Sequence, residues 1–267
     1  MSPMRSLRAP SVATLALVAI GSLDAEPQPA PAEGPALEAL FPRIMDERAA
    51  LEDIPFPELI RIATGHRVEP FDPSAEADAR ILAALVRALD AVLAEMNRPD
   101  SPVRDLARIN EASAEFEEGL RGHLASTPGI ACTLPLTAAG TPQRSGYPDL
   151  RIEDRASGTI YYLDPKLYAR GSGDTTLRTF YYEPRRETNK ISEDARHLLV
   201  GIEHDGADGA WRFLRWHLVD LSRFRVRLKA EFQASNRDLY RPETIVASGG
   251  SPVTPPASRE IPLPVPE

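Results

Sequence analysis

The segment TIYYLDPKLY, residues 159–168, constrains the fold more than any other part of the chain. Its β-branched and aromatic residues favour a strand, in which successive side chains point to opposite faces. One face then carries Tyr162, Asp164, Lys166 and Tyr168, and the other carries Tyr161, Leu163 and Leu167. The apolar face has to pack against a helix. The charged face needs an ionic partner, a metal or a water-filled cleft, because burying unpaired charges is costly.

The order of the neighbouring elements predicts a mixed α/β fold. Apolar residues at helical spacing predict one helix from about Pro73 to Met96 and another from Ser101-Pro102 to about residue 126. Strand-like segments follow between residues 131 and 182: ACTLPL, DLRIED, TIYYLDPKLY and LRTFYY. A short helix is expected at TNKISEDAR, and strands at HLLVGIEHDG and WRFLRWHLVDL. This order favours a mixed central sheet flanked by helices over a sandwich or a bundle.

The sequence leaves two details of this fold open. The segment from Leu221 to Leu239 has apolar residues at helical spacing, but FRVRLKAEF within it also alternates as a strand does. Pro165 has no backbone N–H to donate, so it predicts an edge position or a bend in its strand.

The two ends of the chain differ from its middle. Residues 1–25 combine basic, apolar and small residues in the order of a secretory signal, and residues 26–36 resemble a proline-rich linker. The apolar part is shorter than the roughly 20 residues of a membrane span, so no stable span is predicted. We expect a helical extension over 37–100, a core over 101–246 and a disordered proline-rich tail over 247–267. The protein is exported if the signal is genuine; a start near Met45 would make it cytoplasmic.

Composition excludes several classes of protein. An apolar content of 42% in 267 residues is enough to build a core. The formal net charge of −8 argues against coating of nucleic acid through bulk charge, although a local basic groove is compatible with it. Cys132 is the only cysteine, which excludes an internal disulfide and a cysteine-based zinc site, and it reads as a small buried hydrophobe.

Two acids and a lysine are the candidate chemical groups. If the strand that starts after Asp149 returns through RASG as a hairpin, Asp149 comes back beside Asp164. Two neighbouring carboxylates repel each other and favour a divalent cation, and oxygen ligands suit Mg²⁺ or Mn²⁺. Such a cation can polarise a phosphoryl oxygen and activate water. Lys166 beside it can orient or deprotonate that water.

These residues resemble the signature of a known family. Pro148-Asp149, followed by Asp164-Pro165-Lys166, is similar to the active-site motif of the PD-(D/E)XK nucleases, the restriction-endonuclease-like superfamily. The resemblance covers about residues 102–220 and implies a metal-dependent nuclease that hydrolyses phosphodiester bonds in DNA and leaves a 5′-phosphate. In this family an acid of the first helix often assists. Here the helix FEEGLRGHL offers Glu117, the acid on the flank of its apolar stripe, as a third metal-linked carboxylate.

Basic residues after the motif are candidates for contacts with a nucleic-acid backbone. They are Arg170, Arg178, Arg185, Arg186 and Lys190. Tyr181 and Tyr182 lie among them, which suits stacking on bases; the other interpretation is a solvated face balanced by acids. The alternative function is a non-enzymatic exported binding or structural domain, in which Asp164 and Lys166 form an exposed charge pair worth tenths of a kcal/mol. The sequence does not give an oligomeric state.

Overall fold

The computed structural model describes residues 38, 42, 44, 45, 51–176, 180–206, 210–229 and 233–247. The predicted signal, the linker and the tail beyond residue 247 lie outside the described residues. Compact units cover Met1–Asp46 and Glu47–Glu267, and the second unit contains every element below. No helix among the described residues is long and apolar enough to cross a membrane.

The strands of the second unit build a mixed sheet. They are β1 (Ile54–Pro55), β2 (Val68–Glu69), β3 (Ile130–Thr133), β4 (Leu150–Asp154), β5 (Thr159–Ala169), β6 (Ala195–Asp205), β7 (Arg212–Asp220) and β8 (Arg225–Val226). The main sheet has the order β2-β6-β5-β4-β3, and β7 also pairs with β6. β6 is parallel to β2 and β5, whereas the β3–β4, β4–β5 and β6–β7 pairs are antiparallel. β1 and β8 form a separate antiparallel pair.

The second unit contains four α-helices with described bounds. They are α1 (Phe56–Thr64), α2 (Glu76–Met96), α3 (Ala112–Ala125) and α4 (Asn236–Leu239). Helices α2 and α3 pack on one side of the main sheet, which we call the first face. The mixed sheet with flanking helices confirms the predicted fold class.

The first face carries the larger core. Leu163 of β5, Leu198 of β6 and Ile152 of β4 pack with Leu85 of α2 and Leu120 of α3, all at most 1% exposed. At about 25 cal/mol per Å² of apolar surface removed from water, such burial is the main stabilising contribution. Cys132 belongs to this core, as predicted. A polar tie reinforces the packing: the buried carboxylate of Asp78 in α2 accepts a 2.5 Å hydrogen bond from the Tyr161 hydroxyl of β5.

The opposite side of the sheet, the second face, is covered by described residues over only part of its area. Helix α1 lies here, and its Phe56 and Ile60 are 0% exposed. They pack with Ile160 and Tyr162 of β5, with Leu221, and with Phe180, Tyr182 and Phe224 around them. Helix α1 begins inside the proline-containing stretch DIPFPEL, since Pro57 is tolerated in the first turn of a helix.

Three sequence predictions of secondary structure are wrong. The helix predicted from Ser101 is a 3₁₀ turn over Pro102–Asp105, capped by the Ser101 side chain, and the regular helix begins only at Ala112. Leu106 and Arg108 between them have extended backbones. The predicted helix TNKISEDAR is irregular, because the Asn189 side chain bonds the backbone of Ile191 and the Ser192 amide donates to the Tyr162 hydroxyl.

The third wrong prediction is the strand LRTFYY, whose described residues 180–182 are not in a strand. For the ambiguous segment after Leu221 the structure gives neither a full helix nor a full strand. A 3₁₀ turn over Leu221–Arg223, the short β8 and the four-residue α4 take its place.

Pro165 lies in an interior strand, but at a position where one side of that strand has no partner. The pairing of β4 with β5 ends at Leu150 opposite Leu163, whereas the pairing of β5 with β6 continues to Ala169. From Asp164 onward β5 therefore has a local edge on the β4 side, which tolerates a residue without an N–H.

Candidate active site

The β4–β5 hairpin brings the predicted acids together at this local edge. β4 leads into the Arg155–Gly158 turn, and β5 returns with Leu163 opposite Leu150. Asp149, the residue before β4, therefore lies next to Asp164 on the second face. Lys166 follows on the same face, one pleat further along β5. The predicted hairpin is thus present, with the geometry that the spacing of the motif requires.

Lys166 lies between the two carboxylates. Its Nζ is 2.5 Å from Oδ2 of Asp164 and 3.4 Å from Oδ2 of Asp149. The Asp164 side chain is only 2% exposed, compared with 11% for Asp149 and 24% for Lys166. The three groups thus form one partly buried ionic cluster, and not the exposed charge pair that the alternative interpretation requires.

Burial and repulsion shift the ionisation of this cluster. Burial, followed by the negative charge of Asp149, raises the pKa of Asp164 to about 8, although Lys166 opposes the shift. Burial by itself lowers the pKa of Lys166, but attraction to Asp164 and Asp149 outweighs it and the net shift is upward. A carboxyl group that is partly protonated near neutral pH, beside a charged ammonium, is typical of a functional site.

Glu117 reaches the same neighbourhood from helix α3. Its pKa is raised, first by burial and then by the charge of Asp149, while Arg144, Lys166 and Lys190 lower it. Glu117 therefore interacts electrostatically with the cluster, as its predicted position on the flank of the apolar stripe would allow. The described residues contain no group of three or more His, Cys, Asp or Glu side chains that could hold a metal ion. A role for Glu117 as a third metal ligand stays a prediction.

One atom of the cluster is suited to a cation. Oδ2 of Asp164 is buried and, in spite of its close ion pair with Lys166, receives no well-aligned hydrogen bond from the described part of the chain. Buried polar atoms are nearly always satisfied, so an unsatisfied carboxylate oxygen needs an explanation. Together with Asp149 it offers oxygen donors, and Mg²⁺ commonly takes one or two protein carboxylates and completes its shell with water and phosphate oxygens.

Lys190 has a position that the sequence did not reveal. The sequence places Lys190 among the basic residues that are candidates for contacts with a nucleic-acid backbone, but its side chain is only 1% exposed. Its Nζ donates to the Gln143 carbonyl at 3.3 Å, which ties it to the loop before Asp149. Burial lowers its pKa, while Asp149, Asp164 and Glu117 act in the opposite direction. Lys190 is thus a second cation beside the acidic cluster, and only its buried surroundings, not its sequence, identify it.

The other basic candidates lie on the surface or outside the described residues. Arg170 and Arg185 are exposed and pair with Asp205 at 3.4 Å and Glu183 at 2.7 Å. Arg186 is exposed as well, and Arg178 lies outside the described residues. A contact of these arginines with nucleic acid stays a prediction.

An aromatic cluster adjoins the site along β5. The Tyr147 hydroxyl lies 2.7 Å from Nδ1 of His197, and both residues are buried. His197 belongs to β6 and pairs with Tyr162, two residues before Asp164. Burial lowers the pKa of His197 to about 3, so its ring is neutral. Tyr147 is two residues before Asp149, and its contact with His197 fixes the loop that delivers this acid. The sequence identifies neither His197 nor Tyr147 as part of the site, because their contact joins residues 50 positions apart.

Comparison with known proteins identifies the family of this chain. The model of the MjaV type II restriction enzyme family matches residues 50–243. This chain belongs to that family. A relative, the type II restriction enzyme MjaV of Methanocaldococcus jannaschii, is 27% identical over 206 residues, which cover 73% of this chain and 89% of the relative.

Family membership confirms the resemblance to the restriction-endonuclease-like superfamily. The matched range includes helix α3, the β4–β5 hairpin and the parallel strand β6, which together position the acidic cluster. Membership supports a DNA nuclease and does not favour a non-enzymatic exported domain.

Proposed function

We propose that this protein is an endonuclease that hydrolyses phosphodiester bonds in duplex DNA with Mg²⁺, or Mn²⁺, as its cofactor. One observation carries the proposal: the Lys166 ammonium lies between the carboxylates of Asp149 and Asp164 on an open part of the sheet. In a chain of the type II restriction enzyme family, this cluster is the natural place for the chemistry.

Asp149 and Asp164 are the proposed metal ligands. Their oxygens suit a hard cation, and the unsatisfied Oδ2 of Asp164 gives it a binding atom. A bound Mg²⁺ would supply Lewis-acid polarisation of the phosphoryl group and a more acidic water. Burial of Asp164 against the aromatic cluster keeps the surrounding dielectric low, which strengthens each electrostatic interaction in the site.

Lys166 has two proposed tasks. Its ammonium holds the attacking water by hydrogen bonding and offsets the negative charge that develops on the phosphoryl oxygens. The water oxygen forms a bond to phosphorus and gives up one proton to solvent, while the bond from phosphorus to the 3′ oxygen breaks. The 3′ oxygen takes up one proton from solvent to become a hydroxyl, and the phosphate stays on the 5′ side. Glu117, half-buried nearby, is the proposed group that assists through its charge.

The decisive experiment measures cleavage of supercoiled plasmid and linear duplex DNA with 5 to 10 mM Mg²⁺ or with EDTA. We expect cleavage only with Mg²⁺, and its loss by a factor of at least about 10³ in the Asp164→Ala variant. Asp100→Ala is the matched control, since Asp100 is an exposed aspartate that also pairs with a basic residue, Arg98. Circular dichroism checks that each variant is folded. Full activity of folded Asp164→Ala, or cleavage undiminished in EDTA, would refute the proposal.

A further inference from the structure

The sheet face that carries Asp164 and Lys166 continues across β6 to β7. Lys166 pairs with Gly201, Tyr168 pairs with Glu203, and Glu203 pairs in turn with Arg215. Directly paired residues share a face of a sheet, so these side chains lie on the second face together with the acidic cluster. This region of the face lies beyond the aromatic cluster that covers the beginning of β5.

Glu203 and Arg215 form a two-point ion pair. Nε of Arg215 is 2.9 Å from Oε2 of Glu203, and Nη2 of Arg215 donates to Oε1 at 3.2 Å. The Glu203 side chain is 6% exposed, whereas that of Arg215 is 59% exposed. A buried carboxylate therefore holds one edge of the guanidinium and leaves the rest directed to solvent. Such forked pairing fixes the orientation of an arginine.

Tyr168 braces the same carboxylate. Its hydroxyl donates to Oε2 of Glu203 at 3.3 Å. Its ring lies over Gly201, where an added Cβ would be 3.3 Å from the nearest ring carbon. The glycine thus gives the ring room beside Lys166, and the ring and hydroxyl together limit the movement of Glu203.

We infer that Arg215 is a contact for the phosphate backbone of duplex DNA, positioned by Glu203 and Tyr168 on the sheet face that carries the acidic cluster. The inference rests on the proposed function. Strand spacing places Arg215 about 12 Å from Lys166, a distance of a few nucleotides along the backbone. Arginine suits this task because its planar group recognises phosphate oxygens through several N–H donors. An exposed arginine serving only its surface ion pair would contribute little and would not need a buried, braced partner.

The test measures binding of a labelled mixed-sequence duplex by fluorescence anisotropy in EDTA, which prevents metal-dependent cleavage, at salt concentrations from 50 to 200 mM. Removal of Arg215 alone would leave Glu203 as a buried unpaired charge. The main variant is therefore the double substitution Glu203→Gln and Arg215→Gln, compared with Glu203→Gln alone. Arg61→Gln is the matched control, because Arg61 is 56% exposed and pairs with Glu58 in the same forked manner on helix α1.

We expect the double variant to bind about 5 to 10 times more weakly than Glu203→Gln, with a salt slope less steep by about one unit. Glu203→Gln alone keeps the cation and is expected to keep the slope of the wild type. Equal affinity and equal slope in the double and single variants would overturn the inference, as would the same loss in Arg61→Gln.

Plasmid cleavage with Mg²⁺ separates the two proposals. If the wild type binds DNA but does not cleave it, the proposed nuclease mechanism is contradicted. The salt slopes of the double and single variants then still show whether Arg215 contacts the phosphate backbone. No wild-type binding overturns both.

Discussion

The two halves of the second face of the sheet are built from the same strands and have opposite characters. In the sealed half, Ile160 and Tyr162 of β5 and His197 of β6 lie under helix α1 and its aromatic neighbours. In the open half, which starts only two residues later, Asp164 and Lys166 form an ionic cluster. The comparison teaches that the two halves have separate roles: the sealed half contributes the packing that stabilises the sheet, and the open half carries the charged groups of the proposed site.

The largest expected effect is a loss of cleavage when the charge of Lys166 in the open half is removed. Lys166→Met keeps the length and most of the volume of the side chain but removes its charge. We expect cleavage to fall by about 10³-fold or more, since the water-positioning and charge-offsetting group is lost, while the melting temperature changes by only a few degrees. Single-turnover cleavage and thermal unfolding are the measurements. A folded Lys166→Met protein with wild-type cleavage would contradict the division of roles.

The converse substitution lies in the sealed half. Phe56 is fully buried and contacts five aromatic rings, those of Tyr147, Phe180, Tyr182, His197 and Phe224. Phe56→Ala should lower the free energy of unfolding by about 3 to 5 kcal/mol through lost burial and a cavity. Denaturant unfolding measures this change. At temperatures where the variant is folded, its cleavage rate should stay within a few-fold of wild type.

Ile62→Ala is the control for the same helix, because Ile62 is 70% exposed and its truncation should cost less than about 0.5 kcal/mol. An equal loss of stability in the two variants would mean that the aromatic cluster does not seal the sheet.

A smaller effect is expected on the pH dependence of the free energy of unfolding. Burial lowers the pKa of His197 to about 3, below its ordinary value of 6.5. Above pH 6.5 the histidine is neutral in both states, so its contribution to stability is fully present. Below pH 6.5 the unfolded chain binds a proton that the folded protein excludes, and this stability is lost by about 1.4 kcal/mol per pH unit. Between pH 6.5 and 4.5 we expect a loss of about 2 to 3 kcal/mol that is missing in His197→Gln. Parallel curves for both proteins would show that the site is wetter than the structure indicates. His217→Gln, at an exposed position, is the control.

The smallest effect concerns the pH dependence of Mg²⁺ binding at the proposed metal site. Because the pKa of Asp164 is raised to about 8, protons compete with a cation for this carboxylate below that pH. The stabilisation by millimolar Mg²⁺ should therefore grow from pH 6.5 to pH 8.5, by up to about 1.4 kcal/mol per pH unit. Differential scanning fluorimetry measures it, and Asp164→Asn should abolish the dependence. A Mg²⁺ effect that is equal at both pH values would argue that Asp164 is not a ligand.

The sequence was most informative where one local pattern decides the structure. Alternation along residues 159–168 predicted the faces of β5, and the RASG turn predicted the hairpin that joins Asp149 to Asp164. Residues 106–111 show the opposite case, since their apolar spacing suits a helix but the chain is extended at Leu106 and Arg108. There, packing of the preceding 3₁₀ turn overrides propensity.

The site could be predicted only as far as local patterns reach. Lys190 carries no local signal, because its burial depends on the loop at Gln143, 47 residues earlier in the chain. The contacts of Glu203 with Tyr168 and Arg215 depend in the same way on the pairing of β5, β6 and β7. Residues that act through such long-range pairs become visible only when the strand register is known.

The early end of β4 has a consequence for the loop that precedes it. Because the ladder between β4 and β5 stops at Leu163, the chain just before Leu150 leaves the sheet where Asp149 and Asp164 lie. The positions of Tyr147 and Gln143 in that loop are set by contacts with His197 and Lys190 and not by strand pairing. Residues of the loop that make no such contact can therefore change without altering the pairing of β4 with β5.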